Sequence, residues 1–230
     1  MFPPESPSGS LALFVAVDVH YLGDAAARAA MVAAGDPRFS LVSRTRTAMV
    51  SSVAPYRPGE FYRRELPPLR AVIPASDELA LIVVDGYVDL DPDGRPGLGA
   101  HVHAEYGVPV IGVAKTAFGT ATHAARVLRG QSSRPLYVTA AGLAIADAAG
   151  LVAEMAGPFR VPDALKRADR LARGLEAPQP AVRPSPPLFG HRSEVASAPD
   201  GAGGLYRSVN HAPIANTTPA IRLPTARSGW

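Results

Sequence analysis

Six consecutive apolar residues, Leu79 to Val84, run without a break into Asp85. A strand with one face in water alternates apolar and polar side chains; one that never alternates is buried on both faces. Such a strand needs packed layers above and below its sheet. Val108 to Ala114 repeats the pattern, after a Gly-rich loop and a short helical stretch around His101 to Tyr106. Ahead of both, Leu11 to Val19 reads as a buried strand, with Arg28 to Ala34 and Phe39 to Thr45 as its antiparallel partners and Gly35-Asp36-Pro37 as a turn. Glu60 to Ile73 reads as a helix that Pro67-Pro68 must kink or restart. Further on, Pro135 to Thr139 predicts a strand, Leu143 to Met155 a helix, and Pro162 to Gly174 a charged amphipathic helix with Pro at its start and Gly at its end. Antiparallel strands followed by alternating strands and helices predict a mixed α/β fold, a sheet with flanking helices.

The 230 residues are enough for one domain with a substantial core. No apolar run approaches the ~20 residues of a membrane span, and the opening Met-Phe-Pro-Pro lacks the basic start of a secretory signal. The expectation is a cytoplasmic monomer with no membrane partner. Without cysteine there is neither a disulfide nor a thiolate metal site, so any metal is held by carboxylate or imidazole. The positive charge is almost all arginine, Lys115 and Lys166 being the only lysines. Arginine suits bidentate phosphate contacts, although coding bias in a GC-rich genome raises arginine too. Beyond Glu176 the periodicity dissolves into Pro, Ser, Ala and Gly. Residues 1–9 and 177–230 are expected to be disordered, flanking a folded domain over 10–176.

Three acids sit at the ends of apolar or helical runs: Asp18 in Phe-Val-Ala-Val-Asp-Val, Glu65 in Phe-Tyr-Arg-Arg-Glu-Leu, and Asp85. Two carboxylates on neighbouring strands, with a third lowered from a helix, make a hard oxygen pocket suited to Mg²⁺ or Mn²⁺. The chemistry most often built on such a pocket is in-line phosphodiester hydrolysis. Asp18 alone has an ordinary reading as a turn-forming carboxylate; the three together weaken it, because clustered like charges cost stability unless a cation offsets them.

The chain resembles the endonuclease V family. The matching segments are Val17-Asp18-Val19, Arg28-Ala29-Ala30-Met31-Val32, Pro55-Tyr56-Arg57-Pro58-Gly59, Arg64-Glu65, Val83-Val84-Asp85-Gly86, Leu98-Gly99-Ala100-His101, Ile111-Gly112-Val113-Ala114-Lys115, and Arg160-Val161-Pro162 with Arg167-Ala168-Asp169. The resemblance implies a ribonuclease H-like fold and metal-dependent cleavage on the 3′ side of inosine in DNA, and by extension RNA, as in DNA repair. It implies Asp18, Asp85 and Glu65 as ligands for Mg²⁺, with Mn²⁺ able to substitute, and Lys115 as a phosphate contact. Tyr56 falls at the position of an aromatic wedge that fills the gap left by an extruded base, while Gly59, Gly86 and Gly99 would let backbone approach that base. Tyr56 also reads as cover for a core edge, and Lys115 as an ordinary exposed strand end.

Two departures stand out. Asp91-Pro92 lies where the family has His-Pro, and Gly142-Leu143 where it has a Gly-His pair beside the metal. Asp147 and His20 are the nearest candidates to fill that role, and a histidine at Gly142 or Leu143 would be expected to raise activity. A catalytically weakened nucleic-acid-binding relative of the same fold is the alternative these departures favour. His101 and His103, two apart on a short helix, point to different sides and read as cap or packing residues.

Overall fold

A computed structural model describes residues 12–55, 57 and 60–179. The expected N-terminal segment, the tail beyond Gln179, and the positions of Tyr56 and Gly59 lie outside the described residues. Seven strands form one sheet in the order β3-β2-β1-β4-β5-β7-β6. They are β1 (Leu13–Leu22), β2 (Ala26–Ala34), β3 (Val42–Val50), β4 (Leu79–Asp85), β5 (Val110–Ala114), β6 (Ala125–Val127) and β7 (Leu136–Ala141). The central β1, β4 and β5 are parallel, and every other pairing is antiparallel. Helices α1 (Tyr62–Val72) and α2 (Leu98–Tyr106) lie on one face, α3 (Ile145–Glu154) and α4 (Asp163–Ala172) on the other.

Alternation along the central strands feeds two cores. Val15 and Val17 of β1 with Ile82 and Val84 of β4 pack under α1 and α2, while Ala16, Leu81, Val83, Ile111 and Val113 pack under α3 and α4. The unbroken apolar runs are the strands with helices on both sides, as their sequence requires.

The structure differs from the sequence reading in three places. The Phe39 to Thr45 segment pairs with β2 rather than with β1, and its strand starts only at Val42. Phe39 instead folds inward in a left-handed turn (φ 55°), buried, below an Asp36 carboxylate that accepts the amides of Arg38 and Ser40. Strand β6, the three residues Ala-Arg-Val, carries too short a pattern to be read. Helix α1 runs through Pro67 and Pro68 without a break. Its buried Leu66, Pro68, Leu69 and Val72 grip the sheet strongly enough to hold the turn where two backbone donors are missing. Pro67 itself is exposed. Pro67→Ala restores the donor opposite the Arg63 carbonyl and is expected to raise the melting temperature, by up to about 3 kcal/mol of stability. Thermal melts of the two proteins check this.

Gly174 (φ 75°) follows the end of α4, and the chain then crosses the free edge of β3. Glu176 pairs with Arg167 at 2.7 Å, and Gln179 exchanges backbone and side-chain hydrogen bonds with Thr45. No described helix is long and apolar enough to cross a membrane.

Candidate active site

Strand β4 stops at Asp85, and the last β1–β4 pair is Val17 with Val84. Asp18 and Asp85 therefore come next on adjacent strands, where the centre of the sheet opens. It is the sheet that ends there and not β1, which continues with β2 as a two-stranded arm to Leu22. Alternation turns Asp18, Asp85 and Lys115 toward the α3/α4 side. Lys115, the residue after β5, sets its ammonium 2.5 Å from Asp85 Oδ2. Glu65 reaches the same edge from α1 on the opposite face. It is buried at 7% exposure and accepts a hydrogen bond from the Tyr21 hydroxyl of the β1 arm at 3.3 Å. The Arg64 guanidinium lies 4.4 Å from the centre of the Tyr21 ring.

The electrostatics record this crowding. Burial, then the neighbouring Asp85, pushes the Asp18 carboxyl up to about 7, against the pull of the Val19 amide and Lys115. Burial and Asp18 push Glu65 up to about 8. Lys115 is raised: hydrogen bonding to Asp85 and the fields of Asp85, Asp18 and Asp169 outweigh its burial.

Asp169 enters here from α4. It acts on both Asp18 and Lys115, and Arg173 holds its carboxylate at 2.8 Å. Arg167-Ala168-Asp169 was legible as a family segment, but the sequence offered no reason to bring α4 to this edge. The signal lay in the apolar face of that helix, Ala164, Leu165, Ala168 and Leu171, which packs it against β1 and β2.

Of the candidates for the missing imidazole, those after β7 and on α3 lie elsewhere. Strand β7 runs antiparallel to β5, with Ala141 level with Val110 at the start of β5 and Tyr137 level with Ala114 at its end. Gly142, Leu143 and the α3 N-terminus are thus delivered to the edge opposite the carboxylates. A Cβ at Gly142 would lie 2.9 Å from His103 Cε1 and 3.2 Å from Pro109 Cα. Asp147 is exposed on α3, which packs on β6 and β7. The expected gain from a histidine at Gly142 or Leu143 and the role offered to Asp147 are therefore both corrected: those positions are at the wrong end of the sheet. His20 stays on the Asp18 face of β1, level with Arg28. His101 stacks on Tyr62 at 3.6 Å between ring centres, and His103 Nδ1 lies 2.7 Å from the Val108 carbonyl oxygen, both as packing residues.

Beside the acids lies a cavity of about 350 Å³, a size suited to a small organic group. Phe61 and Tyr62 line one side, Gly86 and Tyr87 the rim next to Asp85, and Leu90, Leu98 and Phe118 the rest, together with Arg95 and Pro96. Gly86 (φ 147°) turns the chain from β4 into the loop that forms the wall, in a conformation L side chains rarely adopt. Gly112 lets that loop close onto β5, since a Cβ there would meet the Gly86 carbonyl oxygen at 2.6 Å. Gly99 is the seat for Val88, whose Cγ2 would be 2.6 Å from an added Cβ; Gly97 and Leu98, not Gly99, line the cavity.

Among the described residues, no three acid or imidazole side chains converge closely enough to enclose one ion. The donor set still fits a hard divalent cation. It is all carboxylate oxygen, and burial and then mutual repulsion raise Asp18 and Glu65, a repulsion that a bound cation would offset.

A seven-stranded mixed sheet covered on both faces, with acids where its central parallel strands end, is a ribonuclease H-like architecture. The Endonuclease V family model matches residues 4–170, and the chain belongs to that family. Endonuclease V of Thermococcus kodakarensis is 31% identical over 159 residues, covering 69% of this chain and 77% of that protein. For Rhodospirillum centenum endonuclease V the identity is 36% over 116 residues, 49% of this chain and only 48% of the relative. The Streptomyces avermitilis endonuclease V crystal structure superposes with a TM-score of 0.59 at 25% identity, covering 76% of this chain and 86% of that one. Ciona intestinalis endonuclease V, crystallised with a 24mer DNA containing an inosine followed by a ribo-adenosine, shares the fold with a TM-score of 0.60 at 19% identity over 71% of this chain and 85% of that one.

Proposed function

We propose that this protein is a metal-dependent endonuclease that hydrolyses a phosphodiester on the 3′ side of inosine in DNA or RNA. The observation that carries the reading is the placement of Asp18, Glu65 and Asp85 from three separate elements at one sheet edge, near enough to raise one another's protonation, beside a cavity large enough for a base. Folding alone does not call for three acids at one edge, where their repulsion costs stability. These three would hold Mg²⁺ or Mn²⁺, which when bound supplies Lewis-acid polarisation of the phosphate and an acidified water. Asp169 adds negative charge from α4. Lys115, paired with Asp85, is placed to exchange part of that contact for a phosphate oxygen. The cavity takes the extruded base, with Gly86 backbone at its rim and Phe61 and Phe118 as apolar walls. Tyr56 is assigned the wedge, and Gly59 the small residue that lets backbone approach the extruded base. The folded unit that performs this is assigned to residues 10–176, acting as a monomer.

The test is incubation of the purified protein with end-labelled DNA and RNA strands carrying one inosine, and with matched unmodified strands, in Mg²⁺, Mn²⁺ or EDTA. Cleavage confined to the inosine strands and abolished by EDTA is expected. Tight binding of inosine strands with no cleavage in either ion would replace this reading with that of a binding-only relative.

A further inference from the structure

One wall of the cavity is built from the loop from Gly86 to Gly97. That loop folds back on itself: Asp89 bridges to Pro96, the Leu90 amide donates to the Arg95 carbonyl at 2.8 Å, and Asp91 Oδ1 accepts the Arg95 amide at 2.9 Å. Asp91, where the resemblance puts a histidine, is thereby engaged in holding the loop tip. Its side chain also pairs with the Arg95 guanidinium at 3.1 Å.

A second connection joins this loop to the segment that follows Lys115. The Tyr87 hydroxyl donates to the Thr116 carbonyl at 2.7 Å and accepts the Phe118 amide at 3.0 Å. Four residues on, the Thr120 hydroxyl donates to the Leu90 carbonyl at 2.5 Å and accepts from Arg95 Nη2 at 3.3 Å. Four hydrogen bonds thus clasp two loops that no strand pairing connects. Tyr87 follows Asp85 by two residues, and Thr116 follows Lys115 directly. The same hydroxyl therefore links the ends of the two strands that carry the Asp85–Lys115 pair, and sets the height of Phe118, whose ring lines the cavity 6.0 Å from that of Tyr87.

The geometry points to Tyr87 as a positioning residue for base selection: its hydroxyl fixes the Phe118 wall relative to the acidic edge, so that a base is accepted only at one depth. This inference rests on the function proposed above. A cavity whose aromatic wall is free to move admits bases of other shapes, whereas the acids, anchored on β1, β4 and α1, are untouched by that motion.

Tyr87→Phe removes the hydroxyl and keeps the ring. In the full-length protein, KM for an inosine strand is expected to rise about tenfold, the cost of losing a pair of modest hydrogen bonds, with kcat within about twofold. Preference for inosine over unmodified strands falls with it. Mn²⁺ affinity, measured calorimetrically, stays the same. Hydrogen exchange of the Phe118 amide accelerates about tenfold or more as its acceptor is lost. Thr120→Val, which opens the other half of the clasp, is expected to shift KM and preference in the same direction. Unchanged KM and preference in both variants overturns the inference while leaving the proposed function intact, and so does an altered Mn²⁺ affinity in Tyr87→Phe. A wild-type protein that neither cuts nor prefers inosine strands overturns the proposed function and this inference with it.

Discussion

Asp85→Ala and Asp18→Ala are each expected to reduce cleavage of an inosine strand by more than about a thousandfold, the loss that accompanies removal of some 4 kcal/mol of transition-state stabilisation. Both substitutions take away a hard oxygen donor at the centre of the acidic edge. Asp85→Ala also frees Lys115, whose ammonium sits 2.5 Å from Asp85 Oδ2, to swing away from the phosphate position. The fold should survive in both, because neither side chain belongs to an apolar core. In metal-free buffer Asp85→Ala should melt no lower than wild type, since the repulsion that raises Asp18 is removed along with the acid. Paired assays of cleavage and thermal melting check this. Near-normal cleavage by both variants would move the chemistry away from this edge.

The second large effect is on stability against pH. Asp18 and Glu65 are raised from ordinary carboxylate values to about 7 and about 8, in each case by burial first and a neighbouring acid second. A raised folded-state value means that the native protein holds protons the unfolded chain has already released. Unfolding free energy then falls as pH rises. The contribution is fully present below about pH 4, where both states are protonated, and is lost as pH climbs through 7 and 8. The metal-free protein should therefore melt at a lower temperature at pH 8.5 than at pH 5.5. The difference should amount to a few kcal/mol, at about 1.4 kcal/mol for each pH unit by which a carboxyl is displaced. Mn²⁺ should restore the melting temperature most strongly at the alkaline end, where the acids are ionised and ready to bind it. A melting temperature that rises from pH 5.5 to 8.5 without metal contradicts the burial and repulsion on which the site rests.

Much of this architecture was legible because apolar runs leave little choice. Leu79 to Val84 and Val110 to Ala114 are buried on both faces, and such strands end where the sheet opens, which located Asp85 and the neighbourhood of Lys115 directly. Asp18 was legible as an acid on a central strand, but not that its strand runs four residues past it, since Val19 to Leu22 continue only as an arm paired with β2. The direction of β7 was not legible at all. A strand's sequence does not state whether it runs parallel or antiparallel to its neighbour, and that direction alone sends Gly142 and Asp147 to the far edge and leaves the last helix, with Asp169, to reach the acids. The cavity was equally invisible, because its walls come from residues 61–62, 85–98 and 118, which meet only after the sheet has ordered them. The Tyr87 clasp belongs to the same class: a hydroxyl and a main-chain amide thirty-one positions apart carry no pattern a periodicity can reveal.

The central claim is that a divalent ion binds at the sheet edge that carries Asp18, Glu65 and Asp85. Substituting Fe²⁺ in the full-length protein and adding ascorbate and peroxide generates radicals that cut the backbone next to the ion. Mass spectrometry of the fragments is expected to show breaks near Asp18, Glu65 and Asp85, suppressed by excess Mg²⁺ and absent in Asp85→Ala. Breaks confined to other segments, or a pattern that Mg²⁺ and Asp85→Ala leave unchanged, would contradict it.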